Sequence, residues 1–174
     1  MSLVKCKAGQ FEGVFQDDCH QYFGIPYAKY EQRWDESFLI EEKLNLKSLQ
    51  KGDSAPQTRS LDESLHGTSF FQDNSLSKQS EDCLTLNICS NDIKAKNPVM
   101  IWIHGGALVT GGSSSIMYDL KYLAKRGVVA VSINYRLGPF GFLKLDEVTD
   151  GEIKSTGNEG LIDQRNAIKW VKEN

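Results

Sequence analysis

The chain has 174 residues, enough for one domain with a hydrophobic core. Its formal net charge of -3 gives no electrostatic basis for binding nucleic acid or an anionic membrane. No apolar run approaches the ~20 residues of a membrane-spanning helix, and the start of the chain has no apolar stretch of signal-peptide length, so a cytoplasmic protein is expected.

In chain order, Phe11 to Phe15 and Gln21 to Ile25 read as short strands separated by the turn-like Gln16-Asp17-Asp18. Pro26 ends the second run because it offers no donor to a ladder. Lys29 to Lys51 is polar and mixed, without a clean period. Ser54 to Ser80 is the least regular part, with Leu65, Phe70 and Phe71 as apolar islands. It reads either as a surface loop over the site region or as a partly disordered segment. If the loop lines an entrance, Phe70 and Phe71 are the candidates to do so; the alternative is that both fill a local packing cluster.

Regular patterning begins at Cys83. Leu84, Leu86 and Ile88 alternate with Thr85 and Asn87, which predicts a strand with one buried face. Cys83 and Cys89 lie six apart, so the same period predicts that they share a face. Val99 to Ile103 is continuously apolar, as for a strand covered on both faces. Tyr118 to Arg126 reads as a short helix closed by Gly127, and Val128 to Ile133 as a second buried strand. Leu161 to Lys172 reads as an amphipathic helix with Leu161, Ile162, Ala167, Ile168 and Val171 to one side. Strand, helix, strand, helix implies an α/β fold with a parallel sheet, over a single domain spanning 1–174.

The four cysteines have no Cys-x-x-Cys spacing and no histidine in a ligand pattern, so free thiols are expected, with no metal and no cofactor. His20 and His66 fall in turn or loop context and are expected to be solvated.

The most specific chemistry sits after Val99–Ile103, where the chain continues as His104-Gly105-Gly106-Ala107. A phosphate-binding loop is excluded because Gly112 stands where its lysine is required. A dinucleotide fold is excluded because Ala107 and Thr110 stand at glycine positions and no helix follows directly. An oxyanion hole fits. It needs consecutive peptide N–H groups aimed at one oxygen, and glycine permits the backbone angles involved. Gly106 and Ala107 are the expected donors, with Gly105 as loop support, and Ala107 is expected to serve with a negative φ. His104 is read as structural, because a general base must meet a nucleophile and none is recognisable here.

Five ordered segments resemble type-B carboxylesterases, the family that includes bacterial para-nitrobenzyl esterases and cholinesterases. They are Phe23-Gly-Ile-Pro-Tyr-Ala28, Ser80-Glu-Asp-Cys-Leu-Thr-Leu-Asn-Ile88, Pro98 to Gly106, Asn134-Tyr-Arg-Leu-Gly-Pro-Phe-Gly-Phe142, and Gly157-Asn158 through Asn174. The resemblance implies the N-terminal portion of an α/β-hydrolase fold, with short antiparallel strands leading into a mixed, mostly parallel sheet flanked by helices. It implies a serine esterase acting on a small carboxylic ester, with Gly106 and Ala107 in the oxyanion hole. It also implies two structural ion pairs, Arg136 with Asp163 and Arg33 with Glu81. Eukaryotic members join the cysteine matched by Cys83 to an upstream cysteine, yet 57–82 holds none here. The same stretch lacks the tryptophan that cholinesterases use to hold a choline group.

No Gly-x-Ser-x-Gly elbow occurs in the 174 residues. By resemblance the serine is expected on the order of 15–20 residues beyond Asn174, with the acid and histidine later still. The chain is therefore expected to supply the oxyanion loop of an esterase while being inactive alone. A complementing C-terminal chain, or self-association through an exposed sheet edge, is the expected partner. A non-catalytic binding module on the same fold and a non-functional remnant are the alternatives.

Overall fold

The computed structural model describes residues 1–58 and 78–174. Strands β1 (Ser2–Cys6), β2 (Gly9–Gln16) and β3 (Cys19–Pro26) form an antiparallel meander. The turn between β2 and β3 is a two-residue connection in which Asp17 and Asp18 are both left-handed, at φ 54° and 58°. That geometry matches the twist of the flanking strands, and aspartate tolerates it. Strands β4 (Ala28–Lys29) and β5 (Phe38–Leu39) form a separate two-stranded ladder, and β6 (Leu44–Lys47) lies parallel to β2.

Beyond them come β7 (Thr85–Ser90), β8 (Val99–Ile103), helix α1 (Lys121–Ala124), β9 (Val129–Ile133), helix α2 (Gly138–Phe142) and helix α3 (Glu159–Glu173). The main sheet runs in the order β1-β2-β3-β7-β9-β8, with β6 beside β2. It is mixed, with helices, as in the α/β-hydrolase fold. Its parallel part is narrower than expected: β8 with β9 and β2 with β6, whereas β7 runs antiparallel to both β3 and β9. Short hairpins can join only antiparallel neighbours, and the helical crossover between β8 and β9 is what permits their parallel pairing.

The core lies between the sheet and α3. Phe11, Tyr22, Ile25, Leu86, Ile133 and Trp170 are among its buried members, and the Phe11 and Trp170 rings meet edge to face at 6.4 Å.

Four patterning expectations need correction. Helix α3 does not bury Leu161 or Ile168, which are 50% and 45% exposed. Its buried stripe is Asp163, Asn166, Ala167 and Trp170. Two of these are polar and are tolerated because they are bonded: Asp163 takes Arg136, and Asn166 Nδ2 donates to Ser37 O at 2.7 Å. The Thr85–Asn87 side of β7 is not a solvent face, since Asn87 is 2% exposed and sits in a polar network. Cys83 and Cys89 do not share a face. Cys83 precedes the strand and joins the main core, while Cys89 packs with Cys19 and Ala124. Finally, β8 is not covered on both faces: Val99, Trp102 and Ile103 are exposed at 52%, 38% and 38%. It is the terminal strand of the described sheet.

Candidate functional site

The glycine loop leaves the C-terminal end of β8. Its first residue, His104, is 3% exposed and stacks on Tyr135, with ring centroids 4.6 Å apart and planes 19° apart. Tyr135 Oη donates to His104 O at 3.0 Å. His104 Nδ1 lies 3.0 Å from Gly105 O, so it carries the proton and donates. Burial lowers the imidazole below its ordinary value, and the bond to Gly105 only partly opposes that. His104 is thus packed and bonded within its own loop.

The next residues adopt rare backbone angles. Gly106 stands at φ 126°, where a Cβ would lie 2.0 Å from Thr110 O, so only glycine fits. Ala107 and Leu108 are both left-handed, at φ 52° and 63°. The expected negative φ at Ala107 is therefore wrong. The turn closes through Val109 N–H and Thr110 N–H, both donating to Gly106 O at 3.0 Å, across the two left-handed residues. Among the described residues the N–H groups of Gly106 and Ala107 meet no acceptor. Successive N–H groups left open by left-handed residues form a concavity suited to negative charge.

Three contacts hold this loop in place. Gly138 N–H, at the start of α2, donates to Leu108 O at 2.7 Å. Gln57 grips Gly111 on both sides: its Nε2 donates to Gly111 O at 2.8 Å, and its Oε1 accepts from Gly111 N–H at 2.8 Å. Further on, Ser113 N–H donates to Asn134 Oδ1 at 2.7 Å, and Asn87 Nδ2 donates to Ser113 Oγ at 3.1 Å. Of these anchors, Asn134 opens a segment already singled out in the sequence. Gln57 lies in an irregular polar run and carried no signal.

The two ion pairs sit away from the loop. Arg136 meets Asp163 twice, Nε to Oδ2 at 2.8 Å and Nη2 to Oδ1 at 2.9 Å, and its Nη1 donates to Asp35 O at 2.7 Å. Burial works against the Arg136 charge, but Asp163 outweighs it and raises the guanidinium's pKa. Arg33 Nε donates to Glu81 Oε2 at 2.8 Å, with a second bond from Nη2 to Oε1, at the surface. The bond to Arg33 holds the Glu81 carboxyl below its ordinary value.

Of the other sequence expectations, His20 is not simply solvated: it shares a hydrogen bond with Ser2 Oγ at 2.6 Å and packs on Phe15. Leu65, His66, Phe70 and Phe71 lie outside the described residues. The two ends of the Ser54–Ser80 stretch are bound together, Ser54 N–H to Lys78 O at 3.1 Å and Ser80 N–H to Ser54 O at 2.9 Å. All four cysteines are free, and burial pushes the Cys83 thiol up to about 12. Among the described residues no cluster of histidine, cysteine and carboxylate could hold a metal, and no helix is long and apolar enough to cross a membrane. A cavity of about 310 Å³ opens beside Gln21, Asn87, Ser113, Tyr118, Lys121 and Ser132, and Gly106 and Ala107 take no part in it.

Comparison with known proteins gives one answer. The model of the carboxylesterase family matches residues 1–174. The para-nitrobenzyl esterase of Bacillus subtilis (strain 168) is 40% identical over 179 residues, covering 99% of this chain and 34% of that protein. A solved thermophilic para-nitrobenzyl esterase superposes with a TM-score of 0.83 at 35% identity, over 99% of this chain and 35% of its own. A carboxylesterase of Geobacillus stearothermophilus superposes at 0.82 with 36% identity, over 100% of this chain and 34% of its own. The chain therefore spans about a third of the length of the relatives it matches.

Proposed function

The chain belongs to the carboxylesterase family, and from that premise we propose that its glycine loop is the oxyanion side of a serine esterase acting on small carboxylic esters. The observation that carries the reading is the pair of open N–H groups at Gly106 and Ala107, at the end of a sheet strand. In such an enzyme the carbonyl oxygen of the ester gains a full negative charge as the nucleophile adds. Donors already aimed at that position stabilise it without reorganising, and one such donor is worth ~3–4 kcal/mol in the transition state. Arg136–Asp163 and Arg33–Glu81 serve as structural ties in this reading.

These 174 residues contain no Gly-x-Ser-x-Gly sequence, so hydrolysis requires a serine, acid and histidine supplied from elsewhere. We assign that supply to polypeptide matching the remaining two thirds of the relatives, docked beside β8. That edge can instead pair with a second copy of the chain.

The test uses the complete gene product. It is expected to hydrolyse a p-nitrophenyl ester and to react with a p-nitrophenyl phosphonate. In a crystal structure of the adduct, the phosphoryl oxygen is expected about 2.7–3.1 Å from the N atoms of Gly106 and Ala107. An oxygen seated elsewhere would sink the reading.

A further inference from the structure

The geometry points to Gln57 as a positioning residue for the oxyanion donors, acting through Gly111 and His104. This rests on the oxyanion reading of Gly106 and Ala107. Gln57 is 54 residues from Gly111 in the chain, yet its carboxamide pairs with both the N–H and the C=O of that residue, each at 2.8 Å. The residue is itself held: the carboxamide Nε2 also donates to Ala55 O at 3.0 Å, and the backbone N–H of Gln57 donates to Gln79 Oε1 at 2.9 Å. Gly111 is thereby fixed with φ at 112°.

What Gly111 touches explains the consequence. A Cβ there would lie 2.5 Å from both Gly105 O and His104 Nδ1. The Cα of Gly111 thus rests against the hydrogen bond that His104 Nδ1 donates to Gly105 O. That carbonyl belongs to the same planar peptide as the Gly106 N–H. The Gly105–Gly106 peptide is trans, so the Gly106 N–H points opposite to the Gly105 C=O. Holding Gly105 O between His104 and Gly111 therefore sets the direction of the Gly106 donor. Ala107 follows, because its N–H is one peptide further along the same turn. A Cβ at Gly105 would meet nothing within 4 Å, so no side chain packs against that side of the residue. In this proposal Gln57 acts through the loop, aiming the donor that meets the substrate.

The experiment compares Gln57→Met and Gln57→Glu with the unaltered sequence in the complete gene product. Hydrolysis of a p-nitrophenyl ester is followed well below the melting temperature. Methionine keeps the shape but neither donates nor accepts as the amide does, so kcat is expected to fall about 10–100-fold with KM nearly unchanged. Glutamate supplies a discriminating pH signature. Ionised, it repels Gly111 O; protonated, it can donate to Gly111 O and accept from Gly111 N–H as the carboxamide does. The kcat ratio of Gln57→Glu to the unaltered enzyme is expected to rise toward one as the pH falls through the glutamate's titration. Taking the ratio at each pH divides out His104 and the catalytic groups.

Folded variants with unchanged kcat, or a Gln57→Glu ratio flat with pH, would overturn the proposal. If Gln57→Met does not fold, the Gln57→Glu series decides alone. The phosphonate adduct separates the two levels. An oxygen at Gly106 and Ala107 with indifferent Gln57 variants refutes only the positioning role. An oxygen elsewhere refutes the site and the positioning role together.

Discussion

Arg136 and Asp163 face each other with 2% and 0% of their side chains exposed, joined by two side-chain hydrogen bonds and by Arg136 N–H donating to Asp163 Oδ2 at 3.0 Å. The pair ties the connection between β9 and α2 to the buried face of α3. The ring of Tyr30 adds a cation–π contact at 4.4 Å from the guanidinium carbon to its centroid.

Removing one partner leaves the other charge buried. Asp163→Ala is expected to destabilise the fold by about 3–5 kcal/mol, since an uncompensated buried charge is among the costliest single changes. Chemical denaturation with the midpoint compared at constant slope measures it. By contrast, Arg33→Ala at the exposed Arg33–Glu81 pair is expected to shift the midpoint little. Equal losses from both would refute the distinction.

Ala107 pays a steric cost at φ 52° that glycine would not. Relief of that strain outweighs the greater chain entropy of glycine, so Ala107→Gly is expected to stabilise the protein by up to about 1 kcal/mol. The N–H is retained, so kcat of the complete gene product should stay within a few-fold. Gly106→Ala is the opposite case, because its Cβ would meet backbone 2.0 Å away. It should both destabilise the fold and depress kcat. Thermal melts and ester hydrolysis of the two variants together check this; a destabilised Ala107→Gly would refute it.

The loop that matters was legible because glycines mark it and because a buried-type strand leads into it. Its backbone state was not: nothing in the letters of Ala107 and Leu108 says they are left-handed, since both are residue types that ordinarily take negative φ. Strands β2, β3 and β9 followed from apolar and β-branched runs. The face of α3 did not, because hydrophobic periodicity cannot score Asp163 and Asn166 as interior residues. They are interior only through partners 27 and 129 positions away, at Arg136 and Ser37. Gln57 escaped for the same reason. A polar side chain inside the fold or partly inside it takes its meaning from a partner that only the folded chain brings near.

His104 should make stability depend on pH. Burial lowers its pKa in the folded state below the ordinary 6.5. The unfolded chain then binds more protons as the pH drops, so the folded state loses stability below about 6.5, and the loss is complete below the folded value. His104→Asn can place an amide donor near the Nδ1 position and does not titrate. It should flatten the stability curve below the ordinary imidazole value of about 6.5. Denaturation midpoints at several pH values, with equal slopes in both proteins, would contradict this.

The edge of β8 sets how these residues behave in solution. Among the described residues β8 has a strand partner on one side only, β9, and exposes Val99, Trp102 and Ile103. Nearby Ile116 and Met117 are 72% and 59% exposed. An apolar strand with unpaired backbone groups is a template for another strand. The 174-residue chain, prepared alone, is expected to self-associate with rising concentration and to leave a p-nitrophenyl ester intact. Lysine at an edge strand blocks pairing by forcing a charge to be desolvated. Val99→Lys combined with Ile103→Lys should therefore shift sedimentation velocity profiles toward monomer without restoring activity. A chain that stays monomeric across the concentration range would show that β8 is not the sticky element. Hydrolysis that labels a residue within these 174 would show that they carry a nucleophile of their own.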